Sequence, residues 1–299
     1  MLVSVVIRTY DESRYLGALL QGLRDQQADG VRQEVIVVDS GSTDGTLDIA
    51  RAHGARVVHI ARSDFSFGRS LNRGCAAATG EVLVFVSGHC IPASPQWLAE
   101  LVGPLRRGDV TLTYGRQIGG PESRFSECQH FAKFFPTTSR IPQEGFFCNN
   151  ANAAVQRTAW ERFRFDEDIT GLEDLHLASR LVEAGHRIGY VAEAAVYHHH
   201  HENWATVRRR FEREAIALQH IMPEIQMTFA DFLSYFTSAV WLDLSALLRE
   251  RDVTHRLRRL PEIVMFRLMQ FWGSYRGNHE HRQLSQRRKE AYFYPRTRA

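Results

Sequence analysis

The chain has few cysteines, little net charge and no long apolar segment near its first residue. None of its four cysteines lies in a Cys-x-x-Cys pair, which argues against a zinc ribbon and is typical of reduced intracellular thiols. The first apolar run, Val3 to Ile7, is broken by Arg8 and is too short for the apolar region of a signal peptide. A formal charge of +3 is too small to indicate nucleic-acid binding over the whole surface. We therefore expect a cytoplasmic protein with no nucleic-acid partner.

The composition, with 44% hydrophobic and 24% charged residues, is typical of an ordered globular protein. A chain of 299 residues can form one large α/β domain with a helical appendix or two modest domains, and we favour the first arrangement. The first third alternates apolar runs with helical patterns, which predicts a parallel, twisted sheet. The predicted strands are Val3 to Ile7, Glu34 to Val38, Arg56 to Ile60 and Val82 to Val86; the helices between them are Arg14 to Asp25, Thr46 to His53 and Leu71 to Ala78.

The rest of the chain is less regular until it becomes helical. The stretch from Gly119 to Phe147 is rich in Phe and Pro and allows no assignment. From Val207 onward the pattern is almost entirely helical. Between these parts we predict helices at Pro95 to Leu105 and Glu173 to Ala184, a short strand at Thr111 to Tyr114, and an extended strand or strand pair at Ile188 to His200.

Three C-terminal segments bear on membrane contact. The apolar run Phe232 to Leu248 is about one helical turn short of the ~20 residues that a span needs, and it contains Asp243. The segment Arg256 to Leu260 mixes basic and apolar residues, and His281 to Ala299 has six Arg or Lys residues against one acid. Two interpretations stay open: helices on a membrane surface, or helices packed on the catalytic domain with their arginines in water.

Four segments combine strand ends with polar residues in a fixed order. They are 4–12 (Ser-Val-Val-Ile-Arg-Thr-Tyr-Asp-Glu), 37–45 (Val-Val-Asp-Ser-Gly-Ser-Thr-Asp-Gly), 68–81 with the loop Ser87-Gly88-His89, and 171–177 (Gly-Leu-Glu-Asp-Leu-His-Leu). Together they resemble the family 2 glycosyltransferases with a GT-A fold, and segment 37–45 matches best. The resemblance covers roughly residues 2 to 200. It implies an α/β fold with a mixed, mainly parallel sheet flanked by helices, followed by a helical C-terminal extension.

The strand ends offer groups that can hold a nucleotide. Asp39 ends one strand and Thr9 ends its neighbour, so a carboxylate and a hydroxyl can frame one pocket for a base. The alternative is that Asp39 and Ser40 only cap the next helix. The resemblance implies a uracil or thymine pocket, and we predict a nucleotide site of Thr9, Tyr10, Glu12, Asp39, Ser40, Arg69, Asn72 and Ser87.

A departing diphosphate needs a divalent cation or fixed positive donors. Family members usually hold the metal with an Asp-x-Asp motif, where this chain has Ser87-Gly88-His89. A neutral imidazole can ligate manganese, and His198 and His200 share one face of an extended strand. We predict a divalent metal held by His89, His198 and His200, with Mn²⁺ favoured over Mg²⁺. Metal-independent action and a zinc site stay open.

The pair Glu173-Asp174 begins a predicted helix, where amide donors favour carboxylates. An inverting transfer needs a general base beside the acceptor hydroxyl. The resemblance assigns this role to Asp174, with Glu173 as its catalytic neighbour; two ordinary helix-capping acids are the alternative. For the acceptor we predict amide and aromatic contacts from Asn149, Asn150, Asn152 and Trp204.

The sequence therefore predicts a glycosyltransferase that moves a sugar from a UDP- or dTDP-sugar to a glycan or lipid-linked acceptor. Segments 65–72, 91–92 and 198–200 are similar to rhamnosyltransferase-like members. The predicted catalytic domain is 1–205, with a nucleotide half of about 1–92 and an acceptor half of about 93–205, and 206–299 is the extension. Two other classes are weighed against it. A nucleotidyltransferase would have a Gly-rich opening loop, which this chain lacks; a non-catalytic sugar-binding protein would explain His89 but not the retained Glu173-Asp174.

Overall fold

The computed structural model of the protein describes residues 1–249 and 253–279. Contacts within the chain divide it into two compact units. The first contains Met1–Gly120, Phe134–Asp168 and Glu173–His199; the second contains Pro121–Lys133, Ile169–Leu172 and the chain from His200 onward. The predicted boundary at residue 205 stays a prediction.

The first unit is built on one eight-stranded mixed sheet with the order β3-β2-β1-β4-β7-β6-β8-β5. Strands β3, β2, β1 and β4 are parallel, β7 is antiparallel to both of its neighbours, and β6 and β8 are parallel. The strands are β1 (Leu2–Thr9), β2 (Arg32–Asp39), β3 (Arg56–His59), β4 (Val82–Ser87), β5 (Cys90–Pro92), β6 (Leu112–Gly119), β7 (Asn152–Gln156) and β8 (Ile188–His198).

The helices of this unit cover the sheet. Helix α1 shows the reason: Leu16, Leu19, Leu20 and Leu23 recur at helical spacing and are all buried. Helix α3 packs so closely that a Cβ at Gly74 would lie 2.4 Å from Val6 Cγ1. The helices are α1 (Ser13–Arg24), α2 (Thr46–Ala52), α3 (Phe67–Ala77), α4 (Trp97–Arg106), α6 (Arg157–Phe163) and α7 (Glu173–Glu183), with α5 (Phe125–Phe134) ending in this unit.

The strand directions bring polar residues to one edge of the sheet. Because β1, β2, β4, β6 and β8 run the same way, their carboxyl ends lie at the same edge. Thr9, Asp39, Ser87 and His198 are the last residues of four of these strands. Ligands of open α/β sheets bind at this edge.

The second unit is helical and contains α8 (Trp204–Ile221), α9 (Phe229–Leu247), α10 (Val253–Asn278) and most of α5. Phe125, Leu247 and Ile263 form one apolar cluster; Val207, Phe211 and Phe266 form another. Asp243, which interrupts the apolar run of α9, is buried and binds the Arg267 guanidinium through two bonds of 2.7 and 2.8 Å. Within residues 1–249 and 253–279, no helix has the length and apolar character to cross a membrane.

The structure confirms the predicted strands and helices of the first third and their parallel arrangement. It also settles the later alternatives, since Ile188 to His198 forms one strand. The stretch without an assignment contains α5, whose apolar spacing is obscured by the surrounding Phe and Pro residues. Strand β7 and helix α6 were not predicted. The basic segment His281 to Ala299 lies outside the described residues.

Candidate active site

The loop after β2 is organised around Asp39, which is fully buried. Its carboxylate accepts hydrogen bonds from the backbone N–H groups of Gly41 and Ser42, from the Ser42 hydroxyl, and from Thr9 Oγ1 at 3.0 Å. Ser40 donates through Oγ to the Thr9 carbonyl oxygen at 3.2 Å. Thr9, Asp39 and Ser40 therefore form one hydrogen-bonded group, which we call the floor of the candidate site. None of these side-chain bonds caps α2.

The loop after β1 closes against this floor. The Asp11 carboxylate accepts a bond from Thr43 N, and Asp11 N donates to Ser42 Oγ. Asp11 has φ of 54°, so the chain turns sharply beside Tyr10. The Arg62 guanidinium lies 4.9 Å from the centroid of the Tyr10 ring. Tyr10 thus borders the floor with one ring face next to a cation.

Arg69 and Asn72 are bound to another part of the first unit. Arg69 Nε donates to Glu167 Oε2 at 2.8 Å, and its Nη1 donates to the Asp64 carbonyl oxygen. The Asn72 amide is buried and bonds to Phe165 O, Glu167 and Trp160 Nε1. These contacts hold α3 to the segment before α7, so Asn72 belongs to the scaffold of the site.

The loop after β4 brings His89 onto Glu12. His89 Nδ1 lies 2.7 Å from Glu12 Oε1. A Cβ at Gly88 would lie 3.0 Å from Glu12 Cγ and 3.2 Å from the Arg8 carbonyl oxygen, so glycine allows this close approach. Ser87 pairs with Arg8 in the sheet and sits at the start of the same loop. Glu12, predicted as a nucleotide contact, is therefore placed as the partner of His89.

His198, at the end of β8, completes a histidine pair. Its Nδ1 lies 2.6 Å from Gln117 Oε1, and its Nε2 lies 3.1 Å from His89 Nε2. Because each Nδ1 faces an acceptor oxygen, we assign the ring protons to Nδ1 and the lone pairs to Nε2. Two such nitrogens require a cation or a shared proton between them. The spacing suits two ligands of one ion, and metal-ligating histidines typically donate their other N–H in this way.

Asp174 and Glu173 form a buried acidic pair at the start of α7, 7% and 5% exposed. Arg8 Nη1 lies 3.3 Å from Glu173 Oε1. Burial raises the pKa of Asp174 and the charge of Glu173 raises it further, to about 7, although Asn150 N and Leu175 N donate to this carboxylate. A carboxyl that ionises near neutral pH can serve as a general base.

The segment 149–152 joins these groups. Asn149 Oδ1 accepts a bond from Gln117 Nε2 at 2.9 Å, and Asn150 N donates to Asp174 Oδ2 at 2.8 Å. Asn150 Nδ2 is buried and has no hydrogen-bond partner in the described structure. Asn152 is fully buried, where it bonds to Trp97 Nε1 and the Ala194 carbonyl. Asn150 can thus meet a ligand, whereas Asn152 serves the core.

Two sets of hydrogen bonds in the first unit meet at the histidine pair. One joins Glu12 to His89, and the other runs from His198 through Gln117 and residues 149–150 to Asp174, while the two Nε2 atoms face each other at 3.1 Å. The histidine pair and the acidic pair, which are far apart in sequence, are held in fixed relation by polar bonds.

Two predicted residues belong to the second unit. His200 Nδ1 lies 2.7 Å from Glu127 Oε1, and Arg210 bonds to both Glu127 and Glu202. Trp204 begins α8, and the Arg124 guanidinium lies 4.2 Å from the centroid of its ring. Glu127, His200 and Glu202 have ligand atoms within 4.8 Å of one another, but Arg210 is ion-paired with both carboxylates and would compete with a cation there.

Sequence reasoning missed Gln117 and Arg8. Gln117 is 3% exposed in the middle of β6, and a polar residue at an inward strand position was the available signal. Arg8 interrupts an apolar strand at its carboxyl end. Neither signal identifies the partner, because Gln117 and His198 lie 81 positions apart.

This edge of the sheet carries the candidate site of an open α/β fold. Residues 4–164 match the family model described as "Glycosyl transferase family 2", which is more than half of the chain. The chain therefore belongs to glycosyltransferase family 2, as the resemblance predicted, and its fold is of the GT-A type.

Several curated relatives are glycosyltransferases. The chain is 29% identical over 192 residues to the O-antigen chain rhamnosyltransferase WbaN of Salmonella anatum, covering 60% of each chain. It is 26% identical over 227 residues to the O-antigen chain rhamnosyltransferase RfbN of Salmonella typhimurium, covering 71% of this chain and 70% of the relative. The match thus spans 60% and 70% of these two relatives' own lengths.

Solved structures show the same fold. The mannosyltransferase PcManGT from Pyrobaculum calidifontis, in complex with GDP-Man and Mn²⁺, has a TM-score of 0.59 and 19% identity, covering 91% of this chain and 84% of that one. Glucosyl-3-phosphoglycerate synthase from Mycobacterium tuberculosis has a TM-score of 0.56 and 24% identity, covering 73% and 79%. At these identities the likeness concerns the fold.

Proposed function

We propose that this protein transfers a sugar from a nucleoside-diphosphate donor to a glycan or lipid-linked acceptor in cell-surface polysaccharide synthesis. The observation that carries the proposal is Asp174, a buried carboxyl with a pKa of about 7, bonded into the network that reaches the histidine pair. Family membership and the rhamnosyltransferase relatives support a UDP- or dTDP-linked donor.

The residues of this chain have separate tasks in the proposed transfer. The floor of Thr9, Asp39 and Ser40 receives the base, since the Thr9 and Ser42 hydroxyls can rotate and let a base N–H reach Asp39. Asp174 takes the proton of the acceptor hydroxyl as that oxygen attacks the anomeric carbon, which gives inversion. Glu173 keeps the pKa of Asp174 raised, and Asn150 Nδ2 orients the acceptor.

The histidine pair fits a divalent cation, and we propose that His89 and His198 hold it through Nε2. The fit rests on the 3.1 Å separation and on the Glu12 and Gln117 oxygens that fix both rings. When bound, the ion would neutralise charge on the departing diphosphate. Imidazole nitrogens favour Mn²⁺ over Mg²⁺, which prefers oxygen ligands. His200 as a third ligand remains a sequence prediction.

We also propose that the protein works in the cytoplasm and meets its acceptor at the inner face of the cell membrane. The O-antigen role of the two Salmonella relatives supports an acceptor of this kind. A non-catalytic sugar-binding role is less favoured, because binding alone does not require a carboxyl that ionises near neutral pH.

The test is a panel of UDP- and dTDP-sugars, assayed for nucleoside diphosphate release with and without EDTA. Asp174→Asn should lower transfer by about 10²- to 10⁴-fold, because an amide cannot accept the proton. Asp168→Asn changes an exposed aspartate and serves as the control. Transfer within threefold of wild type in Asp174→Asn would reject the base, and no release with any donor would reject the function.

A further inference from the structure

The exposed residues of α9, which we call its outer face, are uncharged and include several large apolar side chains, with Ser234, Thr237 and Ser238 among them. The charged residues between Thr228 and Leu248 are Asp231, which forms the capping box, and Asp243, which is buried against Arg267. The large apolar side chains of this face that are exposed are Phe229 (53%), Leu233 (45%), Tyr235 (51%), Trp241 (71%) and Leu242 (64%), with Leu248 (69%) just beyond the helix.

Helix α10 contributes further exposed apolar side chains near the C-terminal end of α9. Asp243 binds Arg267 and Leu247 packs with Ile263, so the end of α9 lies beside the first half of α10. There Leu257 is 64% exposed and Val264 is 43% exposed. Several large exposed apolar side chains on one helix pair indicate an interaction site.

Positive charge is concentrated next to this surface in the sequence. Residues 249–260 contain five arginines against two acids, and Arg249 and Arg258 are exposed. Residues 281–299 add six basic residues against one acid. These two stretches carry +3 and +5 while the whole chain carries only +3, so the remainder is net acidic.

We propose that the outer face of α9 and the first half of α10 dock on an anionic lipid surface, with the helices lying in its plane. Exposed Trp and Leu beside arginines are the pattern of interfacial helices. A symmetric dimer through the same face would bring the arginines of one copy against those of the other. The inference deepens the proposed function by giving its partner, and it rests on that function only for a lipid-linked acceptor.

The experiment is co-sedimentation of the full chain with phosphatidylcholine vesicles, with and without phosphatidylglycerol. Wild type should sediment with the anionic vesicles and be released by salt. Trp241→Ser combined with Leu248→Ser should lower the partition by about tenfold or more, because both side chains leave water on docking. Ile225→Ser removes an apolar side chain that is 38% exposed outside this face and should bind like wild type. Circular dichroism confirms that all variants are folded.

Three results would overturn the docking proposal. They are absence of vesicle binding, equal binding by the double variant, and a dimer in light scattering that the double variant abolishes without any vesicle binding. Transfer to a detergent-dispersed acceptor is measured on the same samples. If the enzyme is active but does not bind vesicles, the docking proposal alone is rejected. If the protein binds vesicles but is inactive with every donor, the proposed function alone is rejected.

Discussion

The ionisation of Asp174 gives a prediction that can be tested through its neighbour. Its pKa of about 7, against an ordinary 3.8, corresponds to about 4 kcal/mol of disfavoured charge. Burial is the largest cause and the charge of Glu173 is the next. Because the base must be ionised, the rate should fall about tenfold for each pH unit below 7. Glu173→Gln removes the neighbouring charge and should move this acidic limb down by about one pH unit or more.

The assay is the pH dependence of kcat/KM for nucleoside diphosphate release at saturating metal. Metal saturation matters because protonation of His89 and His198 competes with metal binding, so a limb due to them shifts with metal concentration. A limb due to Asp174 does not. Glu183→Gln is the matched control, since Glu183 is exposed at the far end of the same helix and should leave the profile unchanged. An identical acidic limb in Glu173→Gln and wild type would refute the reasoning.

Three further predictions concern binding and stability. Asp39→Ala should weaken UDP or dTDP binding by about 1–3 kcal/mol in calorimetry, and an unchanged Kd in a folded variant would leave Asp39 only its role in the loop. EDTA should abolish transfer and Mn²⁺ restore it, while Gln117→Leu should raise the Mn²⁺ concentration needed by about tenfold; full activity in excess EDTA would contradict metal ligation. Burial and the cations around His130 lower its pKa to about 3 from 6.5, so the free energy of unfolding should fall by about 1.4 kcal/mol per pH unit below 6.5. Urea unfolding at pH 7 and pH 5 should show this slope in wild type and not in His130→Asn.

Local sequence was sufficient for the parallel half of the sheet. Val3 to Ile7 and Val82 to Val86 are continuous apolar runs, as expected of strands buried on both faces. The same reasoning predicted which strand ends carry polar groups, because parallel strands share one carboxyl edge. It missed β7, whose residues Asn152 to Gln156 form a short strand beginning with a buried amide. That amide is satisfied by Trp97 and Ala194, partners that no local pattern reveals.

Site residues divide in the same way. Asp39 and Asp174 could be proposed from motifs. The hydrogen bonds from Asn72 and Arg69 to Glu167 could not, because they depend on where the fold places the segment before α7. Asn72 and Arg69 therefore both have partners within the fold, and their contacts with a nucleotide stay predictions. Asn150 is the opposite case, since its buried Nδ2 has no partner in the described residues and is available to a ligand.

In the proposed metal site, Glu12 supplies the carboxylate that His89 lacks. A histidine ligand brings no negative charge, which would weaken a site that family members usually build from carboxylates. Here Glu12 Oε1 lies 2.7 Å from His89 Nδ1, so a carboxylate remains one hydrogen bond behind the ligand. Such a carboxylate raises the basicity of the imidazole and fixes its tautomer. Gly88 permits this contact, because any side chain there would press on Glu12 and the Arg8 carbonyl. Gly88, His89 and Glu12 would therefore act as one unit in the proposed metal site.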